Sequence, residues 1–322
     1  MPSNSFHFNK IYNLISQAKL VLLVTHEKPD GDALGSTSAF SLFLDQLGVN
    51  YKIFCADPVP SFFYFLPNIH KFTNQLEQIK EEKFDLIIAI DCGDLKRTKL
   101  SEFINNLEHP FQIINIDHHQ SNPNFGHFNL IKPEVSSTAE IIFQLFREWK
   151  IMIDKGIATA LLNGIFTDTG AFSTPSTNLD SLLAASLLLN YGGRLQEINK
   201  YNFKNKTLNS LKLWGRAMER LTINKKYQLA YTIIFKKDLE EFGTTDDDLE
   251  GLSNFFKNLN SVKASLVLRE EGDKIRGSLR TVKDDVDVSR LARIFGGGGH
   301  PRASGFTIKG QLINSEGRWR IE

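Results

Sequence analysis

Three potential metal ligands fall within seven residues in His26-x3-Asp30-x-Asp32, inside THEKPDGD. Pro29 and Gly31 stiffen and sharpen that segment, so the side chains can converge. Imidazole with hard carboxylates suits Mn²⁺, Mg²⁺ or Fe²⁺ better than a thiolate zinc site. Asp91 closes the apolar run of IIAIDCGD. Taken singly it reads as a turn or cap residue, and its weight comes from company. Asp94 is the better capping residue, and Cys92 reads as a small buried neighbour. Asp117-His118-His119 follows INI. Adjacent histidines point in different directions, so one can ligate while the other faces substrate. Asp117 can fix a ring tautomer from behind. Asp168 lies among the small residues of GIFTDTG, where backbone could approach a ligand closely.

Converging, these five Asp and three His would repel one another unless cations neutralise the carboxylates. Two divalent ions roughly 3.5–4 Å apart answer that need, with Asp91 the best candidate to bridge them. The chemistry would be attack of an activated water on a phosphate ester. A further cluster, FGGGGHPRASG at 295–305, joins glycines to His300 and Arg302. Backbone N–H groups there could reach an anion, and Arg suits bidentate phosphate contact. Arg280 in GSLRT is another anion donor, whereas Arg276 reads as an outward strand residue.

The elements that must position these groups are legible from periodicity. Residues 20–25, 49–54, 84–90 and 111–116 read as buried strands. A helix fits Ala33–Leu47, closed by Gly48, and others fit Leu76–Glu82 and Lys99–Leu107. The alternation predicts a doubly wound, mainly parallel α/β sheet, with the polar clusters at the strands' carboxyl ends. Ser137–Glu140 fits a capping box before a helix, and 155–167 and 179–191 read as helices. LKLWGRAMERL predicts another helix. From Tyr227 onward, YQLAYTIIF, KASLVLREE, KIRGSLRTV and ASGFTIKG alternate like strands, with helices near 245–258 and 287–295. The predicted organisation is a catalytic, metal-binding domain at 1–193, a basic helical linker at 194–226, and a smaller mixed α/β substrate-binding domain at 227–322.

Charge follows the same division. Residues 1–193 carry 14 Lys and Arg against 20 Asp and Glu, and 194–226 carry 9 against 2. Overall net charge is only +1, which gives no global nucleic-acid signature. A Lys-rich connector that simply faces water fits the basic stretch equally well. The composition, 41% hydrophobic and 23% charged, is that of a soluble globular chain. No apolar run approaches the ~20 residues of a membrane span, and the first residues lack the layout of a signal peptide. With only two cysteines, far apart, a reducing cytoplasm is the expected compartment.

In order along the chain, VTHEKPDGDALGS, Asp91, IDHH and FTDTG resemble the four motifs of the DHH phosphoesterase family. FGGGGHPRASG is similar to the glycine-rich motif of the DHH-associated C-terminal domain, so the resemblance spans nearly the whole chain. It implies that His26, Asp30 and Asp91 hold one Mn²⁺ (Mg²⁺ as the alternative) and that Asp32, Asp91, His118 and Asp168 hold the other. Asp117 would orient its neighbours, and His119 would face the scissile phosphate. The nucleotide would rest on Gly297, Gly298, Gly299, His300, Arg302 and Arg280. The compact form of the family implies 3′-to-5′ hydrolysis of short RNAs and removal of the 3′-phosphate of pAp (3′-phosphoadenosine 5′-phosphate), and suggests a homodimer. Alternatives are a linear or cyclic dinucleotide phosphodiesterase, a pyrophosphatase, a RecJ-like single-strand DNA exonuclease, and a non-catalytic nucleotide-binding module.

Overall fold

A computed structural model describes residues 3–203, 206–249, 251–256, 259, 261–315 and 318–321. The chain divides into two compact units, Met1–Asn205 and Lys206–Glu322.

The first unit runs α1 (Ser3–Gln17), β1 (Leu20–Val24), α2 (Gly31–Leu47), β2 (Asn50–Phe54), β3 (Phe72–Thr73), β4 (Leu86–Ile90), α3 (Ser101–Asn105), β5 (Gln112–Asp117), β6 (Phe128–Ile131), α4 (Thr138–Glu148), α5 (Lys155–Asp168), α6 (Leu179–Asn190) and α7 (Leu195–Phe203). Its six strands pair in the order β3-β2-β1-β4-β5-β6, all parallel. Chain order reverses between β1 and β4, so the topological switch point lies there, where ligands of open α/β sheets bind. The continuous apolar runs of β1 and β4 are explained by burial on both faces. Val21, Leu23, Ile88 and Ile90 join the larger core under α2, α4 and α5, and Leu22, Val24, Ile87 and Ala89 join the smaller one on the other face.

Helix α2 begins because Asp30, with extended backbone, accepts N–H bonds from Asp32 and Ala33. It ends at Gly48, whose φ of 69° supplies the left-handed cap. Helices α2 and α5 cross at close range. A Cβ on Gly35 would lie 2.4 Å from the Ala160 carbonyl oxygen, and one on Gly164 would lie 2.6 Å from Asp32 Oδ1. Both positions admit only glycine, and that contact seats the acidic ends of both helices beside the switch point.

Several sequence expectations need correction. Of 76–82, only Leu76–Gln78 is helical, as a 3₁₀ turn, and 99–107 shrinks to α3. The capping box at α4 is half made: Ser137 accepts from Glu140 N, but the Glu140 carboxylate turns to Ser136 N and Oγ instead. Helix α1, the short β3 and the edge strand β6 were not anticipated.

The second unit contains α8 (Leu208–Glu219), β7 (Thr222–Asn224), β8 (Leu229–Ile234), α9 (Lys236–Phe242), α10 (Leu252–Phe256), β9 (Ala264–Glu271), β10 (Lys274–Arg280), α11 (Val288–Ile294), β11 (Gly298–His300), β12 (Ala303–Lys309), β13 (Leu312–Ser315) and β14 (Arg318–Ile321). Its main sheet has the order β11-β12-β10-β9-β8-β7, with only β8 and β9 parallel. The expected helix near 245–258 is a 3₁₀ turn at Asp246–Leu249 followed by α10; residues 250, 257 and 258 lie outside the described residues. Part of the glycine run is a strand. Gly298–His300 pair with Ala303–Gly305 as an antiparallel hairpin.

Candidate metal centre

Five strand or helix ends converge in the first unit. His26 follows β1, Asp91 follows β4, Asp117 ends β5 with His118 and His119 after it, and Asp168 ends α5. Asp30 and Asp32 sit at the start of α2.

Asp91 is the hub. Its Oδ2 lies 3.6 Å from His26 Nε2, whereas its Oδ1 lies 3.7 Å from His118 Nε2. On the first side Asp30 Oδ2 is 3.9 Å from His26 Nε2, and on the other Asp168 Oδ2 is 3.4 Å from His118 Nε2. His26, Asp30 and Asp91 form one compact donor group, and Asp32, His118 and Asp168 form another, each with ligand atoms within 4.8 Å of one another. Adjacent donors of an octahedral ion with bonds near 2.1 Å sit about 3 Å apart, so both groups are slightly open cages of the right size. Oxygen and imidazole donors without thiolate fit Mn²⁺ or Mg²⁺.

The His26 ring is oriented for ligation. His26 Nδ1 lies 2.7 Å from the Glu27 carbonyl oxygen, an acceptor only, so Nδ1 carries a proton, and Nε2, which without an ion holds a proton toward Asp91, is the atom that would offer its lone pair once an ion displaced that proton. His119 differs from His26. Its Nδ1 lies 2.7 Å from Asp117 Oδ1 and shares a proton with it, which leaves that nitrogen no lone pair for an ion. Though also near Asp91, His119 is therefore better read as a donor than as a ligand. Asp117 is itself held: Oδ1 accepts from His118 N, and Oδ2 accepts from Asn122 Nδ2 at 2.6 Å.

The charges are badly matched as they stand. Burial, with Asp91 beside it, pushes the Asp32 carboxyl up to about 7. Burial, then Asp32, Asp30 and Asp91, raises Asp168 well above the usual carboxylate range. Burial would also raise Asp91, but the hydrogen bond from His26 and the charges of His119 and His118 hold it far below. His119 rises to about 9: burial opposes its charge, but the bond to Asp117 and the Asp91 carboxylate outweigh burial. Carboxylates that hold protons near neutrality are groups whose charge awaits a cation. Cys92, buried and bonded to the Asp94 carbonyl, is pushed up to about 12 and is no nucleophile.

Four contributors escaped the sequence. Thr138 Oγ1 donates to Asp91 Oδ1 at 2.9 Å, and the N–H groups of Thr138 and Ala139, at the start of α4, donate to Asp32. Thr138 had been read only as part of a cap. Asn122 and Arg97 carried no signal beyond lying a few residues past Asp117 and Asp91.

In the second unit, Arg280 on β10 stands opposite Ala303 on β12, which stands opposite His300 on β11. One row of one sheet face therefore carries both predicted donors. Arg280 Nε donates to Asn254 Oδ1 at 2.9 Å, and burial lowers its pKa. Arg302 lies in the hairpin turn, its guanidinium paired with Asp284. Gly297 has no room for a side chain, since a Cβ would sit 2.1 Å from the Gly305 carbonyl oxygen. Gly298 is open, and Gly299 has φ of 131°, which favours glycine.

A doubly wound sheet with Asp and His donors gathered at its switch point defines a metal-dependent hydrolase, here a phosphoesterase. The chain belongs to the DHH family: residues 20–165 match the DHH family N-terminal domain, and residues 224–316 match the DHHA1 domain. It is 30% identical over 293 residues to a Thermus thermophilus protein named bifunctional oligoribonuclease and PAP phosphatase NrnA, covering 90% of this chain and 84% of that one. A Bacillus subtilis protein of the same name is 30% identical over 308 residues, covering 93% and 92%. The crystal structure of an exopolyphosphatase-related protein from Bacteroides fragilis superposes with a TM-score of 0.89 at 28% identity, covering 95% of this chain and 92% of that one.

Proposed function

We propose that this protein hydrolyses short oligoribonucleotides from the 3′ end and removes the 3′-phosphate of pAp, with two divalent cations, Mn²⁺ the best fit. The observation that carries the reading is Asp91, whose two oxygens face two separate donor groups. That is the disposition of a carboxylate bridging a pair of ions. The names of the Thermus and Bacillus relatives supply the substrate class.

In this reading His26, Asp30 and Asp91 hold one ion, and Asp32, Asp91, His118 and Asp168 hold the other. Bound there, the ions would supply electrophilic activation of the phosphate and of the attacking water. The chain's own groups do the rest. Thr138 and the α4 N-terminus fix Asp91 and Asp32. Asp117, pinned by Asn122, keeps His119 protonated, and its Nε2–H is free to donate to a non-bridging phosphate oxygen or to the leaving oxygen. In the second unit, Arg280, Gly297, Gly298, Gly299, His300 and Arg302 bind the anionic and polar groups of the nucleotide. Arg302 exchanges Asp284 for phosphate. A cytoplasmic setting and a homodimer belong to the same proposal. Among the described residues no helix is long and apolar enough to cross a membrane.

The test is phosphate and mononucleotide release from pAp and from two- to five-residue RNAs with Mn²⁺. Asp91→Asn should lower turnover at least a thousandfold, about 4 kcal/mol of lost transition-state stabilisation. Turnover that survives EDTA would refute the metal mechanism.

A further inference from the structure

Arg97 stands beside a candidate metal ligand without a carboxylate partner among the described residues. It lies in a 3₁₀ turn, Leu95–Thr98, after β4, and its backbone carbonyl accepts from Glu27 N at 2.7 Å. That bond ties the turn to the loop carrying His26. The guanidinium Nη2 lies 3.3 Å from His26 Nδ1. With Nε2 as the ligand atom, however, Nδ1 already carries a proton directed at the Glu27 carbonyl oxygen. Two donors then face each other, and the guanidinium gains no acceptor there. Among the described residues no carboxylate stands within ion-pair distance of Arg97. Glu27, the acid on the same loop, is taken by Lys99 at 3.0 Å.

A cation next to a cation-binding histidine weakens metal binding, since like charges in a partly dry site repel. It is tolerated where a third, negative group balances it. That group is not the scissile phosphate. His26 turns Nε2 toward Asp30 and Asp91 and the opposite edge of the ring toward Arg97. Arg97 is therefore set back from the ion position by the width of an imidazole. A phosphate there is a neighbour of the one being cleaved.

We propose that Arg97 binds a second phosphate of the substrate, one nucleoside away from the scissile one, and so selects nucleotides that carry two phosphates. This rests on the proposed function and deepens it. A 5′-phosphorylated dinucleotide and pAp lose the same leaving oxygen, the 3′-oxygen of a 5′-phosphorylated nucleoside, and differ in what the scissile phosphate carries, so both present a phosphate across one ribose from the reacting one. A guanidinium fork at that place serves both.

The test compares pAp with adenosine 3′-monophosphate, which lacks the second phosphate, and reads the ratio of their kcat/KM values. The wild-type protein should favour pAp, and Arg97→Gln should lower the ratio about tenfold to a hundredfold, as the loss of a charge-assisted contact does. Arg97→Lys, which keeps the charge but not the fork, should fall between. A ratio unchanged in Arg97→Gln overturns the proposal. So does an equal fall for both substrates, which would make Arg97 a support for His26 alone. If the wild-type protein releases phosphate from neither compound, the functional reading has failed instead. Calorimetric binding of pAp and adenosine 3′-monophosphate with Mn²⁺ then reads the same ratio, and equal losses in Arg97→Gln overturn the assignment.

Discussion

Asp91 adopts a φ of 56°, a left-handed conformation unusual for a residue other than glycine. Its N–H is held by the Ile116 carbonyl oxygen at 2.9 Å, and its side chain by Thr138. The strain, about 1–2 kcal/mol, aims one carboxylate between two donor groups. Asp168 faces the reverse situation. Its carboxyl is raised because ionising it adds a charge to a buried acidic cluster. Asp168→Asn removes that charge and keeps nearly the same shape. In EDTA at pH 8 the variant should melt about 2–4 °C above the wild-type protein, the shift expected of ~1 kcal/mol in a domain of this size. With Mn²⁺ the order should reverse, since a ligand is lost. Differential scanning calorimetry in both conditions checks this, and a metal-free variant no more stable than wild type would mean that the charges are already relieved.

At the scale of elements, the seat of the centre is the crossing of α2 and α5. A Cβ on Gly164 would lie 2.5 Å from Ala139 Cβ and 2.6 Å from Asp32 Oδ1. Helix propensity favours Gly164→Ala by about 1 kcal/mol, but overpacking a buried contact costs about 1–3 kcal/mol, so the clash wins. Gly164→Ala should lower stability and weaken Mn²⁺ binding together. Gly215 in α8 meets nothing within 4 Å, so Gly215→Ala should stabilise by about 0.5–1 kcal/mol. Urea titration of the pair should show opposite signs. The same elements show what the sequence can disclose. β1 and β4 were legible as unbroken apolar runs because a parallel strand is buried on both faces, and a polar cluster behind such a run marks the rim. Leu76–Glu82 misled because its two apolar residues, Leu76 and Ile79, satisfy a helical spacing that one 3₁₀ turn also satisfies. Thr138 and Arg97 were beyond reach for a different reason. Each meets its partner, Asp91 or His26, across more than forty intervening residues, a contact that only the assembled sheet creates.

For the whole molecule, the metal centre couples stability to pH. Without cations, the folded protein holds a proton on Asp32 up to about pH 7, whereas an ordinary carboxyl releases it near 3.8. It holds one on His119 up to about pH 9, against an ordinary 6.5. In both cases the folded state binds more protons than the unfolded chain. Stability from Asp32 is therefore complete below about pH 4 and lost as pH rises through 7, and stability from His119 is complete below about 6.5 and lost as pH rises through 9. Cations replace the Asp32 proton and remove the repulsion that raised it, so the metal-loaded protein should escape the first loss. The difference in melting temperature between Mn²⁺-loaded and EDTA-treated protein should thus widen between pH 6 and pH 8. Loading at pH 6 should release protons, measurable as a buffer-dependent binding enthalpy. A melting difference that stays flat over this range, with no buffer dependence, would mean that the cations do not compete with protons for these carboxylates.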